Sequence, residues 1–121
     1  MMKKLLIVDD QSEIRKLIKL TLMRRYELLE AANATDALAI IRAERPHAVI
    51  LDVMMPGEMD GYQLCRHIKQ DPELHSTHIA LVTARGQAVD RDHGTAVGAD
   101  GYFVKPFSPM ALMQHLEIAL G

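Results

Sequence analysis

Short apolar runs alternate with longer segments of helical periodicity along the chain. Several of these runs are apolar at consecutive positions, which is typical of strands that helices cover on both faces. The alternation predicts βαβ units around a parallel sheet, and therefore an α/β fold. The predicted strands are residues 4–8, 27–31, 48–51, 79–82 and 102–104.

Five helices are predicted between and after these strands. Their ranges are about 12–24, 35–44, 61–70 and 88–97, with a last helix from residue 109 onward. The first helix has one stripe, which leaves out the basic residues Arg15, Lys16 and Lys19 and consists of Ile14, Leu17, Ile18, Thr21 and Leu22. The helix over 88–97 has small apolar residues and is the weakest of the five. The last helix has the clearest start, because Ser108 is a good N-cap and Pro109 suits the first helical position.

Length, charge and cysteine content narrow the classes of function. The 121 residues predict a single domain over residues 1–121. A net charge of -2 gives no electrostatic footprint for nucleic acid or anionic lipid, so direct contact with either is not expected. No apolar run approaches the roughly 20 residues of a membrane span. The single cysteine, Cys65, cannot form an internal disulfide, and we expect a buried thiol in a reducing, cytoplasmic compartment.

Charged and hydroxyl residues stand at the ends of four predicted strands. They are Asp9 and Asp10 after the first, Asp52 at the third, Thr83 after the fourth and Lys105 after the fifth. Ligands of an open parallel sheet bind beyond the carboxyl ends of its strands, so these side chains are expected at one edge. Taken singly, the aspartate pair could cap a helix, Asp52 could form a turn and Lys105 could be a surface lysine. Their joint placement favours a functional site.

Three carboxylates at one edge predict a bound cation. Each pair of such charges repels by on the order of 4 kcal/mol at an effective dielectric constant of about 20. A hard divalent cation relieves this repulsion, and Mg²⁺ typically takes one or two carboxylates while leaving room for phosphate oxygens. A carboxylate such as Asp52 can then accept a phosphoryl group, provided that cationic and hydroxyl groups neutralise the charge on the transferring oxygens.

Four stretches together resemble one protein family. They are "LLIVDD", "VILDVMMPGEMDG", "LVTA" and "GADGYFVKPF", and the resemblance extends over essentially the whole chain. The chain resembles a bacterial response-regulator receiver domain of the chemotaxis-regulator type. The resemblance implies a flavodoxin-like, doubly wound (βα)5 three-layer sandwich with a parallel sheet in the order 2-1-3-4-5. It also implies that the bond between Lys105 and Pro106 is commonly cis.

The resemblance assigns roles around the predicted acidic edge. Asp52 matches the phosphoacceptor of the family. Asp10, Asp52 and the backbone carbonyl of Met54 would hold Mg²⁺, with Asp9 assisting through water. Thr83 and Lys105 would bind the phosphoryl group.

The resemblance also implies a switch and its partners. Tyr102 matches the aromatic residue whose ring turns inward when Thr83 shifts toward the modified aspartate. The phosphoryl group would come from a histidine kinase or a histidine phosphotransfer protein of a phosphorelay, and an unknown effector would bind the face of the fourth helix, fifth strand and last helix. The chain is thus expected to be a switch with self-phosphotransfer and autodephosphorylation chemistry rather than a metabolic enzyme. Whether it is a stand-alone regulator or part of a larger chain is left open.

Two departures from the family lie near the acceptor: one perturbs the loop after Asp52 but not Asp52 itself, and the other bears on the lifetime of a phosphoryl group. The loop between Pro56 and Gly61 is one residue longer than in many relatives. Met54 and Arg85 occupy positions that control the access of water to the acyl phosphate in the family. Our hypothesis is that the bulky Met54 slows hydrolysis relative to a small polar residue.

Two other classes use related chemistry. Aspartate-nucleophile phosphatases share the carboxylate, Mg²⁺ and lysine, but they typically carry a second aspartate where this chain has Met54. Flavodoxin-type mononucleotide binders share the topology, but they need a hydroxyl- and glycine-rich loop after the first strand, where this chain has "VDDQSE". A zinc site at His75 and His78 lacks a third ligand.

Overall fold

The computed structural model describes residues 2–84, 92–93 and 95–121. In these residues the elements are β1 (Lys4–Val8), α1 (Ser12–Leu22), β2 (Glu27–Ala31), α2 (Ala34–Glu44), β3 (Ala48–Asp52), α3 (Gly61–Gln70), β4 (His78–Thr83), β5 (Gly101–Val104) and α4 (Pro109–Leu120). The helix predicted over 88–97 lies largely outside the described residues, although residues 92–93 and 95–96 are helical. Arg85 lies outside them altogether.

The five strands form one parallel sheet in the order β2-β1-β3-β4-β5. This confirms the doubly wound, flavodoxin-like α/β fold. The strand order reverses after β2, so β1 lies between β2 and β3. The Lys105–Pro106 bond is cis, as the resemblance implied.

Two strands run further toward the candidate site than predicted. Asp52 is the last residue of β3 and Thr83 the last residue of β4, whereas the predicted strands ended one residue earlier, at residues 51 and 82. The reason is that the ladder continues here, because the amide of Val53 donates to the carbonyl of Val82 at 3.0 Å and that of Lys105 to the carbonyl of Thr83 at 2.7 Å. The two side chains are therefore held by a paired backbone.

The core lies on both faces of the sheet. On one face α1 and α4 cover β1 and β3; the buried residues there include Leu5, Ile7, Ile18, Leu22, Ile50, Leu112 and Leu116. On the other face α2 and α3 pack against the same strands; the buried residues there include Leu6, Val8, Ile41, Val49, Leu51, Leu64, Cys65 and Ile68. Apolar residues at consecutive strand positions, the signal used for prediction, follow directly from this two-sided burial. The burial of Cys65 is also confirmed.

The start of α4 is confirmed as predicted. The Ser108 hydroxyl accepts a hydrogen bond from the amide of Ala111 at 3.2 Å, and Pro109 is the first helical residue. The predicted stripe on α1 was wrong in one position, since Leu17 is 44 % exposed. Ile18 and Leu22, also in the predicted stripe, make the buried contacts of α1, because residues four apart lie on one helical face.

In the described part of the chain, no helix combines the length and apolar character needed to cross a bilayer.

Candidate functional site

Three carboxylates converge at the carboxyl edge of the sheet. One oxygen each of Asp9, Asp10 and Asp52 lies within 4.8 Å of the others. β1 and β3 are adjacent in the sheet, so strand pairing brings together Asp52 at the end of β3 and the two aspartates that follow β1. Asp9 and Asp52 are buried, at 3 % and 4 % exposure, whereas Asp10 is exposed. The cluster is therefore open to solvent on the Asp10 side.

Lys105 is the cation of this cluster. Its ammonium lies 3.1 Å from an oxygen of Asp9 and 3.5 Å from an oxygen of Asp52. The side chain is itself mostly shielded, with 20 % exposure, so its charge is less screened than that of a surface lysine. One positive charge faces three carboxylates, which leaves the site net negative when all are ionised.

Alternation along the strands explains why these side chains meet. Successive strand residues point to opposite faces, so residues two apart share a face. Asp9, Asp52 and Lys105 follow by two positions the residues Ile7, Ile50 and Phe103, all of which belong to the core between the sheet and the helices α1 and α4. The three charged side chains thus extend one face of the sheet beyond its apolar part.

Burial dominates the electrostatics of Asp52. Loss of hydration, followed by the charge of Asp9, raises the pKa of the Asp52 carboxyl to about 6. The charge of Lys105 and a 3.3 Å hydrogen bond from the Met54 amide act in the opposite direction. At neutral pH the carboxylate is still mostly ionised, yet it is more basic than an exposed aspartate.

The carboxylates of the same cluster raise the pKa of Lys105. Burial lowers the pKa of the ammonium, but the hydrogen bond to Asp9 and the charge of Asp52 outweigh burial, and the net pKa is raised. Lys105 is therefore fully charged at neutral pH.

Asp9 also makes a local contact of the helix-capping kind, which was the alternative role of the aspartate pair. One of its oxygens accepts a hydrogen bond from the amide of Gln11 at 2.9 Å, while the other receives Lys105. Gln11 is the N-cap of α1 and its own side chain makes no capping hydrogen bond. Asp9 thus helps to begin the helix and belongs to the acidic cluster at once.

Thr83 and Tyr102 lie on the opposite face of the sheet from Asp52 and Lys105. Thr83 is fully buried and stands two residues after Leu81, a core residue under α2 and α3. Tyr102 pairs in register with Leu81 and packs against the same core. The threonine and the tyrosine therefore share one face of two adjacent strands, β4 and β5, which is the arrangement that a coupled pair needs. Their roles stay predictions.

The loop after β3 approaches the cluster closely. The amide of Met54 donates to an oxygen of Asp52 at 3.3 Å, and the Met54 side chain is 54 % exposed and lies outside the core. Gly61 packs against the backbone of Asp52, because a Cβ at Gly61 would lie 2.4 Å from the Asp52 carbonyl oxygen. This requirement for glycine was missed in the sequence, although the glycine ends the quoted "VILDVMMPGEMDG" stretch. The role of the Met54 carbonyl as a ligand stays a prediction.

The donor set fits a hard divalent cation. The three carboxylates offer only oxygen ligands, and among the described residues this is the one group of three potential ligands that lie together. Oxygen donors favour Mg²⁺ over the softer transition metals. Zinc at His75 and His78 is not supported, since the ring of His78 instead meets that of His115.

Comparison with known proteins identifies the family of the chain. Residues 5–117 match the family model described as the response regulator receiver domain. The chain is 43% identical over 119 residues to the protein named "Probable transcriptional regulator ycf27" of Cyanophora paradoxa, covering 98% of this chain and 48% of that protein. It is 41% identical to the phosphate regulon transcriptional regulatory protein PhoB of Pseudomonas aeruginosa, covering 98% of this chain and 52% of PhoB. The chain spans about half the length of these two relatives.

A solved structure extends the likeness to three dimensions. The chemotaxis response regulator CheY4 of Vibrio cholerae superposes with a TM-score of 0.90 at 34% identity, covering 98% of this chain and 99% of CheY4. Matches over nearly the whole chain, in sequence and in structure, show that the chain belongs to the response regulator receiver domain family.

Proposed function

We propose that Asp52 accepts a phosphoryl group and that this modification switches the domain between two conformations. The observation that carries the proposal is the position of Asp52: buried at the end of β3, with Asp9 and Asp10 beside it and the Lys105 ammonium 3.5 Å away. Such an environment makes a single carboxylate reactive while supplying the charges that a phosphoryl group needs.

The transfer forms one bond and breaks one. An ionised Asp52 oxygen attacks phosphorus in the donor's phosphoimidazole, a P–O bond forms, and the P–N bond breaks as the imidazole leaves. Lys105 stabilises the negative charge on the transferring oxygens. A Mg²⁺ ion bound by Asp10, Asp52 and the Met54 carbonyl, with Asp9 assisting, would neutralise further charge at the same oxygens. The raised pKa of Asp52 supports the proposal, because a more basic carboxylate is a better nucleophile and is still ionised at pH 7.

The switch would operate as a shift of population. Thr83 lies in the strand next to β3 and shares a sheet face with Tyr102. A phosphoryl group on Asp52 that binds Thr83 better in one conformation than in the other favours that conformation. We infer that Tyr102 then moves inward and that the face containing β5 and α4 changes its affinity for an effector.

The proposed partners follow from this chemistry. The donor is a histidine kinase or a histidine phosphotransfer protein. The relatives PhoB and ycf27 are named as transcriptional regulators and are about twice as long, so we propose that the output is control of transcription through a part outside this domain. With its net charge of -2, the domain itself is not expected to contact DNA. The cytoplasmic location and a single domain over residues 1–121 stay predictions.

The test is intact mass after incubation with acetyl phosphate and Mg²⁺. We expect one base-labile phosphoryl group on the wild type and on Asp92→Ala, a control at an exposed aspartate, and none on Asp52→Ala. Omission of Mg²⁺ should abolish the modification. Equal modification of Asp52→Ala, or steady turnover of phosphomonoesters by the wild type, would reject the switch, and the second result would favour the aspartate-nucleophile phosphatases.

A further inference from the structure

Arg15 reaches from α1 to the backbone of the acidic cluster. Its Nη1 donates a hydrogen bond to the carbonyl oxygen of Asp9 at 2.6 Å. The side chain is 18 % exposed, so this contact is largely shielded from water. Arg15 touches no carboxylate of the cluster in any contact that the structure shows, and it therefore does not belong to the machinery described above.

The carbonyl that Arg15 holds belongs to the peptide between Asp9 and Asp10. A peptide group is planar, so fixing its carbonyl also fixes the direction of the Asp10 amide and of the bond to the Asp10 Cα. Asp9 has its own anchors, namely the Gln11 amide and Lys105. Asp10 is exposed, and the orientation of this peptide determines where its carboxylate can point.

Arg15 shares one carboxylate, that of Glu30, with Lys19. Its Nε lies 3.1 Å from Glu30 at the end of β2, and Lys19 contacts the other oxygen of Glu30 at 3.0 Å. The hydrogen bond from Lys19 is the largest cause of a lowered pKa at Glu30, and Arg15 adds to it, so Glu30 stays ionised at neutral pH. Glu30 thus offsets a positive charge that would otherwise oppose a cation at the neighbouring site.

We infer that Arg15 is a positioning residue for the Mg²⁺ site: it orients the Asp9–Asp10 peptide so that the Asp10 carboxylate points into the cluster, while Glu30, which it shares with Lys19, offsets part of its charge. This inference rests on the proposed Mg²⁺ site. By this inference α1 and β2 affect metal binding through Arg15 and Glu30, although neither element supplies a metal ligand.

Charge and positioning make opposite predictions for Arg15→Met. Removing a positive charge beside a cation site strengthens cation binding if charge alone matters. Loss of the hydrogen bond to the Asp9 carbonyl weakens cation binding if positioning matters. Removing a residue that orients metal ligands typically costs at least about tenfold in metal affinity. The sign of the change therefore separates the two explanations.

The experiment titrates Mg²⁺ alone into the unphosphorylated protein and follows the amide NMR shifts of Asp10 and Asp52. We expect Arg15→Met to bind about tenfold more weakly than the wild type. Lys19→Met is the matched control, because it removes the other cation at Glu30 without touching the Asp9 carbonyl, and it should bind like the wild type. Arg15→Lys restores a donor and should recover part of the affinity. Urea unfolding of each variant checks that the titrated protein is folded, and Arg15→Gln replaces Arg15→Met if the latter does not fold.

The outcomes distinguish this inference from the proposed function. Wild-type protein that shows no Mg²⁺-dependent shifts at Asp10 and Asp52 would reject the Mg²⁺ site itself. Wild-type binding with unchanged or tighter binding by Arg15→Met would overturn the role of Arg15 alone. Equal weakening by Lys19→Met would also overturn it, because the effect would then come from Glu30 and not from the peptide.

Discussion

Lys105 joins the two ends of the candidate site by donating a hydrogen bond to Asp9 at 3.1 Å. Asp9 follows β1 and Lys105 follows β5, and two strands, β3 and β4, lie between them in the sheet. The contact therefore spans the carboxyl edge of the sheet above the end of β3. It links the outermost described strand on that side to the middle of the sheet, and it passes next to Asp52.

Replacing Lys105 by Met should destabilise the metal-free protein at neutral pH. The change leaves two buried carboxylates without their cation, and such a loss costs about 1–3 kcal/mol in the free energy of unfolding. Urea unfolding at pH 7 in EDTA measures it. Lys16→Met, at an exposed position of α1, is the matched control and should change the free energy by less than about 0.5 kcal/mol. An unchanged midpoint for Lys105→Met would show that the ion pair adds nothing to stability.

Replacing Asp52 by Asn should stabilise the metal-free protein. Burial and the charge of Asp9 raise the folded-state pKa of Asp52 to about 6, so the folded state retains a proton that the unfolded state loses at lower pH. The wild type therefore loses stability as the pH rises from about 4 to above 6, whereas the Asn variant does not. The advantage of the variant should be near zero at about pH 4 and up to about 3 kcal/mol at pH 7.

Urea unfolding in EDTA at several pH values tests this sign. Asp92→Asn, at an exposed aspartate, should show no such pH-dependent gain. A variant that is less stable than the wild type at pH 7 would mean that the Asp52 carboxylate is favourably solvated or paired in the folded state, contrary to the geometry described here.

A histidine pair far from the acidic cluster should make the fold sensitive to acid. The Nε2 atoms of His78, at the start of β4, and His115, on α4, lie 2.8 Å apart. Such a contact needs one nitrogen to donate and the other to accept, so it is lost when both rings are protonated. Burial lowers the pKa of His78, and His115 and Lys69 lower it further against the opposing charge of Asp100.

The direction of the pH effect on stability follows from the lowered pKa of His78 in the folded state. A histidine whose pKa is lower in the folded state stabilises the fold fully above the unfolded value near 6.5, and this contribution is lost as the pH falls through the folded-state value. We expect the wild type to lose more stability between pH 7.5 and 5 than His115→Gln, in which a non-titrating amide replaces one ring. His75→Gln, at an exposed histidine, is the control and should follow the wild type. Parallel pH profiles for all three proteins would contradict the prediction.

Met54 should control the lifetime of the phosphorylated state. Its side chain is 54 % exposed beside Asp52, where it can obstruct a water molecule that approaches the acyl phosphate. Met54→Asn should therefore lose phosphate faster than the wild type, which a time course of intact mass after removal of acetyl phosphate measures. Met110→Asn, a similarly exposed methionine on α4, should leave the rate unchanged. Loss of phosphate no faster in Met54→Asn would refute the hypothesis.

The sequence predicts the sheet and the residues at its edge well, because strands that are buried on both faces have apolar residues at consecutive positions. Strand order followed from the family resemblance, and parallel pairing then brings Asp9, Asp10 and Asp52 together. The sequence predicts that Arg15 lies off the apolar stripe of α1, but not that it contacts the Asp9 carbonyl, because helical periodicity assigns a face and ignores how far a long side chain reaches along the helix. The His78 contact was missed for another reason: its partner is 37 residues away on a different element.

The pleat of the sheet gives its carboxyl edge two flanks, which meet at a seam. The acceptor and its cation occupy the flank under α1 and α4, whereas Thr83 and Tyr102 occupy the flank under α2 and α3. The seam is the last rung of the ladder, where the Val53 amide meets the Val82 carbonyl and the Lys105 amide meets the Thr83 carbonyl. Because the backbones of Thr83 and Lys105 form part of this rung, small changes in backbone pairing there would alter how both residues are held beside Asp52 without changing the acidic residues.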